Sequence, residues 1–160
     1  MKINEKIKIA RGLHTVWAEA LRADPAISRD MEGLCALAEE SGRVCARAGI
    51  SEVCRRCDED EGGSCCGAGI EDRYTPELLL MNLLLGVEIP GVRHSGKSCH
   101  FLGARGCILA ARDIICINYL CARVRDEIPE GSLVLLQEVT GREMEALFIL
   151  HDAIRKKIRR

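Results

Sequence analysis

Eight of the ten cysteines in this chain of 160 residues fall between Cys54 and Cys121. They form four pairs along the sequence: Cys54 with Cys57, Cys65 with Cys66, Cys99 with Cys107, and Cys116 with Cys121. Four thiolates can hold one zinc ion or one iron–sulfur cluster. The eight thiols therefore match two four-thiolate sites, or one cluster and a second structural site. They indicate a metal and do not by themselves indicate a reaction.

The spacing within the pairs bears on how they could bind a metal. Two residues separate Cys54 from Cys57, which lets both thiolates reach one ion. Adjacent residues such as Cys65 and Cys66 point apart in most backbone conformations. They therefore suit two different sites, or two irons of one cluster, better than a single zinc ion. The third pair lies at the mouths of a predicted hairpin, where facing strand ends bring thiols together.

Two other interpretations of these thiols stay open beside metal binding. A dithiol redox centre at Cys54 and Cys57 needs a strand before and a helix after the pair, whereas here a predicted helix precedes and an acidic, glycine-rich loop follows. Disulfides or inert core thiols are the other interpretation, and a reducing cytosol disfavours structural disulfides. Cys35 and Cys45 lie apart from the rest in a predicted helix, and we interpret them as small buried apolar residues.

The segment from 54 to 121 resembles the YkgJ-type cysteine-cluster family, the CxxCxxCC group described as zinc- or iron-chelating domains. The order and spacing of all eight cysteines agree with that family across a little under half of the chain. The matching motifs are Cys54-Arg-Arg-Cys57, Cys65-Cys66, the helix start Thr75-Pro-Glu77, Cys99-His-Phe-Leu-Gly-Ala-Arg-Gly-Cys107, and Arg112-Asp-Ile-Ile-Cys116-Ile-Asn-Tyr-Leu-Cys121. This chain departs from the pattern in a longer acidic loop after Cys57, in Asp113 where the family has proline, and in Ile117 where it has arginine.

The resemblance implies metal chelation by the eight cysteines and not a particular reaction. Some members of the family are associated with flagellin lysine methylation. The resemblance therefore also implies a partner that takes part in methyl transfer. This chain has no glycine-rich strand–turn–helix motif for S-adenosylmethionine, so we do not expect it to bind that cofactor alone.

The apolar neighbours of the later cysteines favour a [4Fe–4S] cluster over zinc. An apolar surround shields a cluster from water and tunes its potential. The neighbours concerned are Phe101, Leu102, Ile108, Ile114, Ile115 and Ile117. Zinc stays the alternative, because the loop from Asp58 to Gly63 is compatible with a zinc knuckle.

Several charged residues and one histidine near the cysteines are expected to support a metal site. Cations near a multi-thiolate site offset its charge and lower thiol pKa values, and those nearest in sequence are Arg55, Arg56, Arg105 and Arg112. His100 follows Cys99, and we expect it to support the site rather than ligate the metal. The basic segment from Arg155 to Arg160 is interpreted as a solvated helix end, with an anion contact as the alternative.

Helices are predicted to position these residues. Apolar spacing predicts helices over 4–22 and 26–49, with 54–73 irregular. Thr75, Pro76 and Gly86 predict a helix that ends near Leu85. We expect a hairpin over 99–109. For 110–127 the sequence is compatible with either helix or irregular structure. Residues 132–159 are predicted to be helical, as one kinked helix or as two helices. Thr140 and Glu143 match a capping box inside the last region.

We therefore predict a single domain over 1–160, mainly α, an irregular helical domain with a cysteine-rich metal-stapled loop region and a small β-hairpin. The cysteine-cluster region 54–121 is flanked by helices over 4–49 and 132–159. The net charge of −1 gives no basic field for nucleic acid or anionic membrane. No stretch approaches the roughly 20 apolar residues of a membrane span. We expect a cytoplasmic protein that binds neither membrane nor nucleic acid, with a protein partner left open.

The function predicted from the sequence is metal binding through clustered thiolates, with an iron–sulfur cluster or zinc as cofactor. The alternative is a component of an oxidoreductase or methyl-transfer system that uses the cluster for redox or group-transfer chemistry. The sequence leaves open whether the protein is an enzyme.

Overall fold

A computed structural model describes residues 1–60 and 65–159. The α-helices are α1 (Ile3–Arg22), α2 (Pro25–Arg47), α3 (Ile50–Asp60), α4 (Pro76–Leu84), α5 (Ile114–Asn118), α6 (Ala122–Glu127) and α7 (Glu130–Ile158). A short 3-10 helix spans Ile70–Arg73, and β1 (Leu102–Gly103) pairs antiparallel with β2 (Gly106–Cys107). The prediction of a mainly α fold with a small hairpin is confirmed.

Long helices from both ends of the chain build the frame. Helix α2 packs along α7, and α1 packs against α4. The main core between them is aliphatic, as the scarcity of aromatic residues requires, and its two buried aromatic rings, Tyr74 and Phe101, meet edge to face with centroids 4.9 Å apart. A smaller core joins α3, α6 and the start of α7, and consists of Ile50, Val53, Val124, Ile128 and Leu136.

Local signals set the boundaries of two helices. The Asp24 side chain accepts hydrogen bonds from the backbone N–H groups at the start of α2. Thr75 Oγ1 accepts one from the Leu78 N–H at 3.2 Å at the start of α4. Gly86 has a φ of 81° just beyond the end of α4, in the left-handed region that favours glycine. The predicted helix after Thr75 is confirmed.

The prediction that 54–73 is irregular is wrong at both ends. Helix α3 continues to Asp60, and Ile70–Arg73 forms the 3-10 helix. Ile50 and Val53 are buried on one side of α3, while Arg55 forms ion pairs with Glu52 and Glu59 on its exposed side. Spacings of three and four residues stabilise a helix in this way. The rest of the predicted loop, 61–64, lies outside the described residues.

The C-terminal region is one continuous helix, and its predicted capping box is wrong. Thr140 Oγ1 donates to the Leu136 carbonyl at 2.9 Å inside α7. Glu143 is fully buried and binds Arg112 instead of capping a helix. The open region 110–127 forms α5 and α6. No helix in the described part of the chain is long and apolar enough to cross a membrane.

Candidate functional site

None of the ten cysteines forms a disulfide, and four of them lie near one another around the junction of α3 and α6. Cys54 and Cys57 lie on α3, and Cys121 lies at the start of α6, which packs against α3. Partial burial raises the pKa of Cys54 to about 11, and negative charge on Cys65, Cys121, Cys45 and Cys57 adds to the rise. We term Cys54 and three of the thiols that lie near it, Cys57, Cys65 and Cys121, the first thiol group.

Four other cysteines gather around the hairpin. The Cys99 N–H donates to the Cys66 carbonyl at 2.7 Å, which ties the hairpin to the CC pair. Burial raises the pKa of Cys99 to about 11, and negative charge on Glu71, Cys107 and Cys116 adds to it. We term Cys66, Cys99, Cys107 and Cys116 the second thiol group.

The adjacent cysteines Cys65 and Cys66 join the two groups. The Cys66 thiol donates a hydrogen bond to Cys65, which lowers the pKa of Cys65 and raises that of Cys66. Beyond this contact, Cys65 acts on Cys54, whereas Cys66 is affected by Cys107 and Cys116. We therefore assign Cys65 to the first thiol group and Cys66 to the second. This assignment agrees with the expectation that the side chains of adjacent residues point apart.

A buried ion pair lies beside Cys107 of the second thiol group and beside Cys45. Arg112 Nη2 donates to the two carboxylate oxygens of Glu143 at 3.0 and 3.2 Å. Burial lowers the pKa of Arg112, but Glu143 and then the thiolates of Cys107 and Cys45 raise it. The guanidinium opposes the rise that burial causes in the pKa values of Cys107 and Cys45. Its support of a metal site stays a prediction.

The other cations predicted to support the site have other partners. Arg55 binds Glu52 and Glu59, and Arg56 binds Glu127 at 2.6 Å. Arg55 and Arg56 therefore pair with carboxylates on the surface of α3 and α6. Arg105 lies in the turn between β1 and β2.

Two polar residues that the sequence did not single out hold the second thiol group in place. Tyr74 is buried, and its hydroxyl accepts from the Asp113 N–H at 3.2 Å and hydrogen-bonds with the Cys116 sulfur. Asn82 is fully buried on α4, and its Oδ1 accepts from the N–H groups of Ala110 and Ala111 at 2.9 and 3.0 Å. The only sequence signal for Asn82 was a polar residue within an apolar run.

Asp113 lies directly before α5 and is its N-cap residue. Its side chain accepts from the Ile115 N–H at 3.1 Å and binds Arg73 at 3.1 Å. Asp113 therefore caps the helix that carries Cys116.

Cys35 and Cys45 both lie on α2 and are half-buried rather than enclosed in the core. Cys45 packs against the smaller core together with Cys121. Burial raises the pKa of Cys35, and the nearby charge of Glu39 adds to the rise. The two cysteines therefore differ in their surroundings.

A cleft of about 800 Å³ adjoins the hairpin. Its lining includes Arg11, Ile89, Arg93, His100, Leu102 and Ile108. His100 is buried, and its Nε2 lies 2.9 Å from the Pro90 carbonyl oxygen. His100 thus links the hairpin to the loop on the opposite wall, a supporting position.

Within residues 1–60 and 65–159, no three His, Cys, Asp or Glu side chains are arranged so that they could hold a metal ion together. Metal binding by the two thiol groups therefore stays a prediction. Comparisons with family models, curated proteins and solved structures found no match. The resemblance to the YkgJ-type family likewise stays a prediction based on the cysteine motifs.

Proposed function

We propose that this protein binds metal through thiolates, as the YkgJ-type pattern implies, and that each thiol group serves one metal centre. The first centre would use Cys54, Cys57, Cys65 and Cys121, and the second Cys66, Cys99, Cys107 and Cys116. What supports the proposal is that thiols far apart in the sequence lie near one another in the fold, Cys121 and Cys65 near Cys54, and Cys107 and Cys116 near both Cys66 and Cys99.

The chemistry of the donors fits this function. Four cysteine thiolates are a complete ligand set for structural zinc and for a [4Fe–4S] cluster. Each group draws its thiols from segments far apart in the sequence, so a metal would cross-link α3 to α6, and the hairpin to α5. Binding of this kind contributes directly to folding stability. Arg112 would offset part of the negative charge that the thiolates accumulate.

Each group has exposed thiols, Cys54 and Cys65 in the first and Cys107 in the second, but only the second contains a buried one. Cys99 is buried in the main core, and Cys116 packs against it beside Tyr74. We propose a [4Fe–4S] cluster for the second thiol group, since an apolar surround protects such a cluster. Cys54 and Cys65 of the first group are exposed, which suits either zinc or a cluster.

Anaerobic purification followed by metal and sulfide analysis tests this function. We expect a brown protein with broad visible absorption and a paramagnetic signal after reduction, and we expect Cys35→Ser to match the wild type. A colourless protein with stoichiometric zinc would contradict the iron–sulfur assignment and keep the metal–thiolate function. Protein that binds neither zinc nor iron after anaerobic reconstitution would contradict the function itself.

The cleft beside the hairpin favours a second candidate, a component of an oxidoreductase or methyl-transfer system. Cys99 belongs to the second thiol group, and the next residues, from His100 to Gly103, line the cleft. A molecule bound there would lie next to a metal centre, and 800 Å³ is within the range of small-molecule sites. Reversible change of the paramagnetic spectrum on reduction with dithionite would support the redox form of this candidate. A metal centre inert to reductant would contradict it.

A further inference from the structure

We propose that the cleft beside the hairpin binds a small carboxylic acid, whose apolar body lies against the aliphatic lining and whose carboxylate pairs with Arg11. This inference goes beyond metal binding. It names the class of molecule that the cleft takes, and it holds whether or not the thiols bind a metal.

The size and lining of the cleft suit a small organic molecule. Its volume of about 800 Å³ lies within the range of small-molecule sites. The end of α4 and the chain that follows it supply one part of the lining, and the hairpin supplies another. An alkyl or aryl group bound there would leave water for an apolar surface, which is favourable. The apolar side chains of the lining include Leu83, Val87, Ile89, Val92, Leu102 and Ile108.

Arg11 adds a positive charge to this apolar lining. Its Nη2 donates to the Ile89 carbonyl at 2.9 Å, which holds the guanidinium of α1 against the wall of the cleft. Within residues 1–60 and 65–159, no carboxylate forms an ion pair with Arg11. Since a guanidinium carries several N–H donors, others stay available to a carboxylate, which they can bind in a bidentate manner.

Two other basic side chains of the lining have partners within the protein. Arg93 forms an ion pair with the buried Glu71. His100 Nε2 donates to the Pro90 carbonyl at 2.9 Å. Arg11 is therefore the arginine of the cleft whose charge no carboxylate in the described part of the chain balances.

The charge of the lining favours an acid with a single negative charge. Glu88 is the one carboxylate among the described residues that line the cleft, and it disfavours a ligand of higher negative charge. A carboxylic acid carries a single charge at neutral pH, whereas a phosphate monoester carries more than one. A carboxylate therefore matches Arg11 better than a phosphate does.

Calorimetric titration of the wild-type, full-length protein with octanoate tests the inference. Octanol has the same chain length without the charge and serves as the comparison ligand. We expect octanoate to bind, and Arg11→Met to weaken it about fivefold, the upper range for a partly exposed ion pair, while octanol binding stays unchanged. Arg29→Met removes an exposed arginine of α2 outside the cleft and should change neither ligand.

A second pair of variants locates the ligand in the cleft. Val92 lines the cleft and is 80% exposed, whereas Val16 lies on α1 outside it and is 71% exposed. Because both side chains are exposed, neither substitution by glutamate should unfold the protein. Val92→Glu should weaken octanoate binding about fivefold by repulsion of its carboxylate, and Val16→Glu should leave it unchanged.

Several results would overturn the inference. Octanoate that does not bind the wild type would do so, as would Arg11→Met that binds octanoate as tightly as Arg29→Met. Equal weakening of octanoate and octanol by Arg11→Met would contradict the role of the guanidinium, and equal octanoate binding by the two valine variants would contradict the place of the site. None of these results bears on the metal–thiolate function, because metal content is measured separately.

Discussion

Replacement of Glu143 by leucine would leave Arg112 without the carboxylate that it binds beside the second thiol group. Glu143 is 0% exposed and the Arg112 side chain is 22% exposed, with Nη2–oxygen distances of 3.0 and 3.2 Å. Removal of one partner from a buried ion pair costs about 3–5 kcal/mol, because the other charge stays buried. Since the Arg112 side chain still reaches some water, we expect Glu143→Leu to lower the free energy of unfolding by about 3 kcal/mol.

A surface pair provides the matched control. Arg142 binds Glu40 at 3.0 Å, the same distance, but these side chains are 56% and 38% exposed. Exposed pairs contribute about 0–1 kcal/mol because water and salt screen them. Glu40→Leu should therefore change the free energy of unfolding by less than about 1 kcal/mol.

Urea denaturation followed by circular dichroism, in excess chelator, measures both variants without a metal contribution. The double variant Arg112→Met/Glu143→Leu should recover most of the lost stability, since no buried charge is then left unpaired. If Glu143→Leu lost no more stability than Glu40→Leu, the claim that an unpaired Arg112 charge destabilises the folded protein would be refuted.

Three further substitutions test elements that hold the site. Asn82→Ala should lower the free energy of unfolding by about 3 kcal/mol in the same urea assay, because it leaves buried backbone groups unpaired. Asn118 is exposed and serves as the control. Asn118→Ala should change the free energy of unfolding by less than about 0.5 kcal/mol. Thr75→Ala should cost about 1 kcal/mol by loss of the α4 cap, and an unchanged urea midpoint would contradict this. The hydrogen bond from Lys157 and those at the α2 start lower the pKa of Asp24 below 3.8, so its contribution to stability is complete above that pH and is lost as the pH falls through the lowered pKa. Asp24→Asn should therefore lose less stability than the wild type between pH 5 and pH 2, and equal acid sensitivity would contradict the assignment.

The features predicted correctly from the sequence are those that local chemistry determines. Thr75 and Pro76 start α4, Gly86 follows its end, and the glycine-containing turn between Cys99 and Cys107 forms the hairpin. Each depends on residues within a few positions of one another, so the sequence alone carries the signal.

The features missed from the sequence depend on tertiary packing. The acidic run and the glycines after Cys57 predict irregular structure, yet α3 continues to Asp60 and buries Ile50 and Val53 against α6 and α7. Glu143 matched a capping box locally, but Arg112 from a distant segment binds it in the core. A buried tertiary partner outweighs a local capping preference in such a case.

The division of the thiols into groups could not be predicted for the same reason. The sequence paired Cys116 with Cys121, whereas the structure places Cys116 beside Tyr74 and Cys121 beside the smaller core. Only the packing of α5 and α6 on different cores separates them.

Metal content of two double variants tests the central claim most directly. Anaerobically reconstituted Cys54→Ser/Cys121→Ser removes two thiols from the first thiol group, and Cys116→Ser/Cys121→Ser removes one thiol from each group. The account predicts that the first variant keeps the metal centre of the second thiol group, whereas the second variant keeps neither centre at the wild-type affinity. Loss of both centres in the first variant, or equal metal content in the two, would contradict it.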